Sequence, residues 1–197
     1  MNERLRSVEK PKNPIFRIIY VLVKKQYGKV LTPLSQIFVR LPLPFLFWNA
    51  RISQLDKKLK IGGELTLLIR LRVSQLNTCM FCMDFARNIA VNAYKNPDKF
   101  FRIHEYESSP LYSNREKAAL RFVSELTTQH KISDATYRNA RDFFNDRELV
   151  ELAWVVSSEH VYNIQNIAFN IESDNICRIP QPSETTGTAI LHGEVSQ

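Results

Sequence analysis

Apolar residues recur along this chain at helical spacing. Pro14 suits the first turn of a helix capped by Asn13, and Ile15, Ile18, Ile19, Leu22 and Val23 follow on a repeating face. After a stop at Gly62-Gly63, Leu65, Leu68, Ile69, Val73 and Leu76 predict a helix over residues 64–76, with Glu64 near its start. Asn77 and Thr78 interrupt it and offer a cap for a second helix, from about Cys79 to Tyr94, which Asn96-Pro97-Asp98 ends. Ser113 with Glu116 three residues on is a capping box, opening a helix through Ala119, Leu120, Val123 and Leu126. Ser133 with Thr136, then Tyr137, Ala140 and Phe144, predicts the next. Asp146 opens a last long helix carrying Leu149, Leu152, Ala153, Val156 and His160.

Elsewhere the pattern breaks down. Residues 1–13 are charged and carry Pro11, which predicts a loose N-terminal arm. Pro33, Pro42 and Pro44 break up the next stretch, where no sustained amphipathic helix is visible. Phe45 to Trp48 is nevertheless too apolar to leave in water, and reads as core or subunit interface. Past Cys177 the run Pro180-Gln-Pro-Ser-Glu-Thr-Thr-Gly predicts a mobile tail over 178–197. What remains, 14–177, is expected to be a single all-α domain.

Composition adds little to this picture. With 44% hydrophobic residues, 24% charged residues and 5 Gly, the chain has an ordinary globular balance rather than a collagen-like or wholly disordered one. The formal charge of +7 is spread along the sequence, without a basic run or a nucleic-acid-binding motif, so no nucleic-acid partner is expected. The apolar stretch Ile15 to Val23 is too short to span a bilayer, and no signal peptide is evident, so the expectation is a cytoplasmic protein.

The candidate chemistry lies in Cys79-Met80-Phe81-Cys82. Residues i and i+3 share a helix face, so the two sulfurs can close a disulfide with little chain movement. The amides and dipole of a first turn stabilise a thiolate, the form that attacks peroxides and disulfides. Other readings of the pair are a zinc site, a thioredoxin-like motif and two inert buried cysteines. Zinc would need about four ligands, yet His104, His130, His160, His192 and Cys177 are scattered without metal-ligand spacing. The helical flanks argue against a thioredoxin fold. Inert burial stays open.

The stretch from Leu71 through Cys79-Met-Phe-Cys-Met-Asp-Phe-Ala to Arg87 resembles the core of the carboxymuconolactone decarboxylase / alkylhydroperoxidase-D-like family. Ser113-Asn-Arg-Glu-Lys-Ala-Ala-Leu, Asp146-Arg-Glu-Leu-Val-Glu-Leu and His160-Val-Tyr-Asn extend the resemblance over about residues 40–175. It implies an all-α bundle, here with an N-terminal helical extension, that assembles into homo-oligomers. The cysteine pair points to the thiol-redox branch, which needs no metal or organic cofactor. That implies peroxiredoxin-like alkylhydroperoxidase activity: Cys82 attacks a hydroperoxide or disulfide, Cys79 resolves it, and an external dithiol reductant restores the pair.

The family's proton relay places a Glu and a His where this chain has Leu67 and Ala86. Turnover is therefore expected to be weakened, with His160, and Glu64 one helical turn before the relay position, as auxiliary candidates. If Asn77 caps the second helix, Cys79 lies in the first turn, and a dipole effect of about 0.3–1 kcal/mol favours a thiolate there. That is too small to displace Cys82 as the expected attacker. The alternatives are a helical binding or assembly protein that has lost catalysis, and a non-redox enzyme using the same pocket.

Overall fold

The computed structural model describes residues 4–177. The described residues form helices and connecting loops, with no strand among them: α1 (Pro14–Tyr27), α2 (Thr32–Gln36), α3 (Pro44–Asp56), α4 (Gly63–Leu76), α5 (Met80–Ala93), α6 (Asp98–Phe101), α7 (Asn114–Gln129), α8 (Asp134–Arg141) and α9 (Asp146–Ala168). Short 3-10 turns follow α2 and α6.

Helix α4 is the axis of the molecule. It is buried on almost every side, from Leu65 to Ser74, as expected of a helix apolar all round. One face, Leu65, Ile69 and Val73, packs against Phe122 and Val123 of α7 and Leu152 and Val156 of α9. Another, Leu67, Leu68 and Leu71, packs against Ala86 and Ala90 of α5, with Phe100, Ile103 and Leu120. Capping boxes at Ser113 and Asn145 start α7 and α9.

The proline-rich stretch is more helical than its pattern suggests. Pro44 occupies the first position of α3, where a missing N–H costs nothing, and the helix runs on to Asp56. Phe45, Phe47 and Trp48 are substantially exposed on this chain, while Leu46 packs towards Phe16, Tyr20 and Leu34.

The N-terminal arm, expected to be loose, is tied down over its described part. The Arg4 N–H donates to the Phe169 carbonyl, the Val8 N–H to Ser35, and the Tyr20 hydroxyl to the Val8 carbonyl. The tail over 178–197 lies outside the described residues.

Candidate active site

Helices α4 and α5 are joined by a three-residue link, Asn77 to Cys79. The Asn77 N–H bonds the Val73 carbonyl and closes α4, and Thr78 turns the chain in the left-handed region (φ 56°). Cys79 then becomes the extended N-cap of α5, so Asn77 is not the cap that its sequence position suggested. Its side-chain amide is directed elsewhere, donating to Asn163 Oδ1 at 3.0 Å. Cys82 consequently sits at the third position of α5, inside the first turn, where unpaired backbone amides concentrate.

The cysteines form a disulfide, with Cα atoms 5.3 Å apart. Both are buried among Ile37, Phe81 and Ile171. Their environments differ. Cys82 lines a cavity of about 420 Å³, whereas Cys79 is not part of its wall and is only 1% exposed. The Asn166 Nδ2 amide of α9 donates towards Cys82 Sγ at 3.3 Å and is 3.8 Å from Cys79 Sγ. An amide donor in that position favours a thiolate over a thiol.

Around Cys82 the cavity wall is apolar, formed by Leu31, Leu34, Phe38, Phe81, Phe85 and Ile89. Leu67 and Ala86, the positions at which the resemblance implies a relay pair, are in this wall too and have nothing to titrate.

Charge gathers elsewhere in the same cavity, where Asp56, Arg70 and Glu159 also line the wall. Arg70 donates from Nη1 to Glu159 Oε2 at 2.9 Å, and from Nη2 to Asp56 Oδ2 at 2.6 Å and Ser158 Oγ at 3.2 Å. Glu159 Oε1 accepts from Ser74 at 2.8 Å and Asn163 at 2.7 Å. Burial pushes the Glu159 carboxyl above the ordinary carboxylate range, against the pull of Arg70 and its other donors. Burial works against the Arg70 cation, but Glu159 and Asp56 outweigh it and hold the guanidinium charged. Tyr162 also lines the cavity, its hydroxyl pushed by burial to about 12, so it is neutral at any physiological pH.

Neither auxiliary candidate is in this wall. His160 Nδ1 lies 3.3 Å from Asn77 Nδ2, at the end of the α4 link. Burial, helped by His130, holds its imidazole below the ordinary value, so it is neutral at pH 7. Glu64 is half-buried and accepts from Lys99 Nζ at 3.2 Å. Asp84 receives the backbone N–H groups of Ile176 and Cys177, fixing the chain's exit from the core to α5.

Sequence reasoning missed Asn166, Glu159 and Asp56. One signal was available: Glu159, Asn163 and Asn166 recur at i, i+4 and i+7, a polar stripe on the side of α9 that carries Leu152 and Val156 into the core. Among the described residues no three His, Cys, Asp or Glu side chains are grouped to hold a metal ion. No helix among them is long and apolar enough to cross a membrane.

No family model matches the chain. The uncharacterized protein YnjA of Escherichia coli (strain K12) is 25% identical over 162 residues, spanning 81% of this chain and 88% of that protein. A cysteine-to-alanine variant of the debrominase Bmp8, solved in complex with 2,3,4-tribromopyrrole, is similar with a TM-score of 0.75 at 18% identity, covering 90% of this chain and 95% of that one. An uncharacterized peroxidase-related protein of Ralstonia eutropha JMP134, described as an alkylhydroperoxidase AhpD core, gives a TM-score of 0.69 at 19% identity, covering 91% of this chain and 98% of that one. These likenesses show an alkylhydroperoxidase-D-like fold, which here carries a CxxC pair at the start of α5.

Proposed function

We propose that this chain is a thiol-disulfide oxidoreductase whose electron acceptor enters the cavity beside Cys82. One observation carries the reading: of the two linked sulfurs, the one in the cavity wall is also the one nearer the Asn166 amide. The Cys82 thiolate attacks the terminal oxygen of a hydroperoxide, the O–O bond breaks, and an alkoxide leaves and takes up a proton. Cys79 then displaces hydroxide from the resulting sulfenic acid and closes the disulfide. The net reaction consumes one hydroperoxide and two thiols, giving an alcohol, water and the disulfide, which an external dithiol reduces by exchange. With Leu67 and Ala86 in place of the relay pair, peroxide turnover is slow.

A second acceptor class is favoured by the apolar wall and by the similarity to a debrominase. The same two-electron pair would reduce a halogenated ring, one halocarbon and two thiols giving the hydrogen-bearing ring, hydrogen halide and the disulfide.

The test is a thiol count. Reduced protein is mixed with cumene hydroperoxide, and separately with a brominated pyrrole, and the free thiols are titrated. Loss of two thiols per chain, with a Cys79–Cys82 crosslink reversed by dithiothreitol, supports the reading. Retention of all thiols with both oxidants contradicts it.

The outward residues Phe47 and Trp48 of α3, with Val150, Trp154 and Ile164 of α9, are exposed on the single chain. We read them as covered by a second copy, because apolar exposure on this scale is a liability in a monomer. A monomer in sedimentation equilibrium at tens of micromolar contradicts that assignment.

A further inference from the structure

Helix α3, absent from the sequence pattern, contributes a complete face to the cavity. Asn49, Ile52, Ser53 and Asp56, at i, i+3, i+4 and i+7, all line it. Two acceptor atoms on that face, Asn49 Oδ1 and Asp56 Oδ1, are buried without a hydrogen-bond partner. Asp56 is the more demanding of the two. Its other oxygen is bound to Arg70, and an ionised oxygen left unmatched away from water is the costliest kind of acceptor. A folded chain tolerates such an atom readily where a ligand completes it.

Arg70 invites a different expectation, that the cavity binds an anion. Its terminal nitrogens are already committed to Glu159, Asp56 and Ser158. One guanidinium facing two carboxylates leaves no net positive charge at this end of the cavity, so an incoming carboxylate finds no free cation. What is unmet here is an acceptor, and an acceptor selects a donor.

The two ends of the cavity are separated along α9. Asn166 holds Cys82 Sγ, and Glu159, which shares Arg70 with Asp56, lies seven residues earlier. That is about two turns, or roughly 10 Å. Phe38, Phe81, Phe85 and Tyr162 supply aromatic surface to the same cavity. We infer that the cavity selects an uncharged, largely aromatic molecule carrying an O–H or N–H group at the end remote from its reacting atom, and that Asp56 Oδ1 accepts that group. This rests on the Cys82 cavity being the substrate site, and it deepens that reading by naming the substrate class.

The experiment measures binding without turnover, so a redox-inactive dithiol leaves its outcome intact, and the thiol count tests the redox reading separately. Three probes of matching length are titrated into the full chain by calorimetry: 4-phenylphenol, its methyl ether, and biphenyl-4-carboxylate. The phenol is expected to bind at least about tenfold more tightly than either of the others. Asp56→Ala should abolish the preference of phenol over ether, and Asp56→Asn, which keeps the shape and a neutral acceptor, should reduce it without abolishing it. Equal binding of phenol and ether to the unaltered chain overturns the assignment, as does tightest binding of the carboxylate or no binding of any probe up to its solubility limit.

Discussion

The two ends of one cavity have exchanged roles relative to what the motif leads one to expect. At the sulfur end, where the resemblance implies a proton relay, Leu67 and Ala86 leave an apolar wall, and the polar help nearest the disulfide is the Asn166 amide. At the far end, two carboxylates and a guanidinium are held by Ser74, Ser158 and Asn163, beyond the reach of the CxxC spacing. An amide can stabilise a charge but cannot carry a proton at neutral pH. On the proposed function the sulfur end would hold a thiolate, and proton exchange would be left to the substrate, to solvent or to the carboxylates opposite. A CxxC motif read by itself does not reveal which of these arrangements surrounds it.

The strongest way to break the contrast is to put the relay back. Leu67→Glu together with Ala86→His should raise hydroperoxide turnover by about 10²–10⁴-fold, read from peroxide consumption with excess dithiol. If the unaltered chain already matches the double variant, the polar end serves the sulfur directly and the contrast fails.

Next in size is the far end itself. Arg70→Met leaves Glu159 and Asp56 without their shared cation, and should cost about 3–5 kcal/mol in urea unfolding at pH 7. A loss under about 1 kcal/mol would mean that the group behaves like an exposed surface pair.

The same group has a pH signature. Glu159 is raised by burial, so the folded chain binds its proton more tightly than the unfolded chain does. Its contribution is fully present below the ordinary carboxylate range and is lost as pH rises through the raised folded value. Glu159→Gln removes that loss, so the stability of the variant relative to the parent should improve as pH rises above the ordinary carboxylate range. A difference independent of pH would remove Glu159 from this role.

The smallest effect sharpens the sulfur end. Asn166→Leu should raise the Cys82 pKa by about one to two units in a Cys79→Ser background, the worth of one hydrogen bond to a charged group. The rate of alkylation against pH reads it, and an unchanged profile would assign thiolate stabilisation to the helix start alone.

Much of the fold was legible because α1, α7 and α9 carry side-chain caps and periodic apolar faces that act locally, and because α4 is a dense run of apolar residues after Gly62-Gly63. Helix α3 was not, because prolines signal a break until one of them is placed at a first turn, where it is tolerated. The cap of α5 shifted by two residues for a tertiary reason: Asn77 binds Asn163 and closes α4, leaving Cys79 to start the next helix. The sulfurs themselves were readable from their spacing. Their surroundings were not, since Asp56, Arg70, Glu159 and Asn166 come from three helices and meet only through the fold.

That shift of the cap bears on which sulfur attacks. Measured from Asn77, the helix start favoured Cys79; measured from Cys79, both sulfurs belong to it, as N-cap and third residue, and cavity exposure and Asn166 point to Cys82. The direct test is to prepare Cys79→Ser and Cys82→Ser separately, treat each with hydroperoxide and trap sulfenic acid with dimedone. A dimedone adduct is predicted on Cys82 in the Cys79→Ser protein and none on Cys79 in the Cys82→Ser protein, and an adduct in the Cys82→Ser protein alone would contradict the assignment of Cys82 as the attacking sulfur.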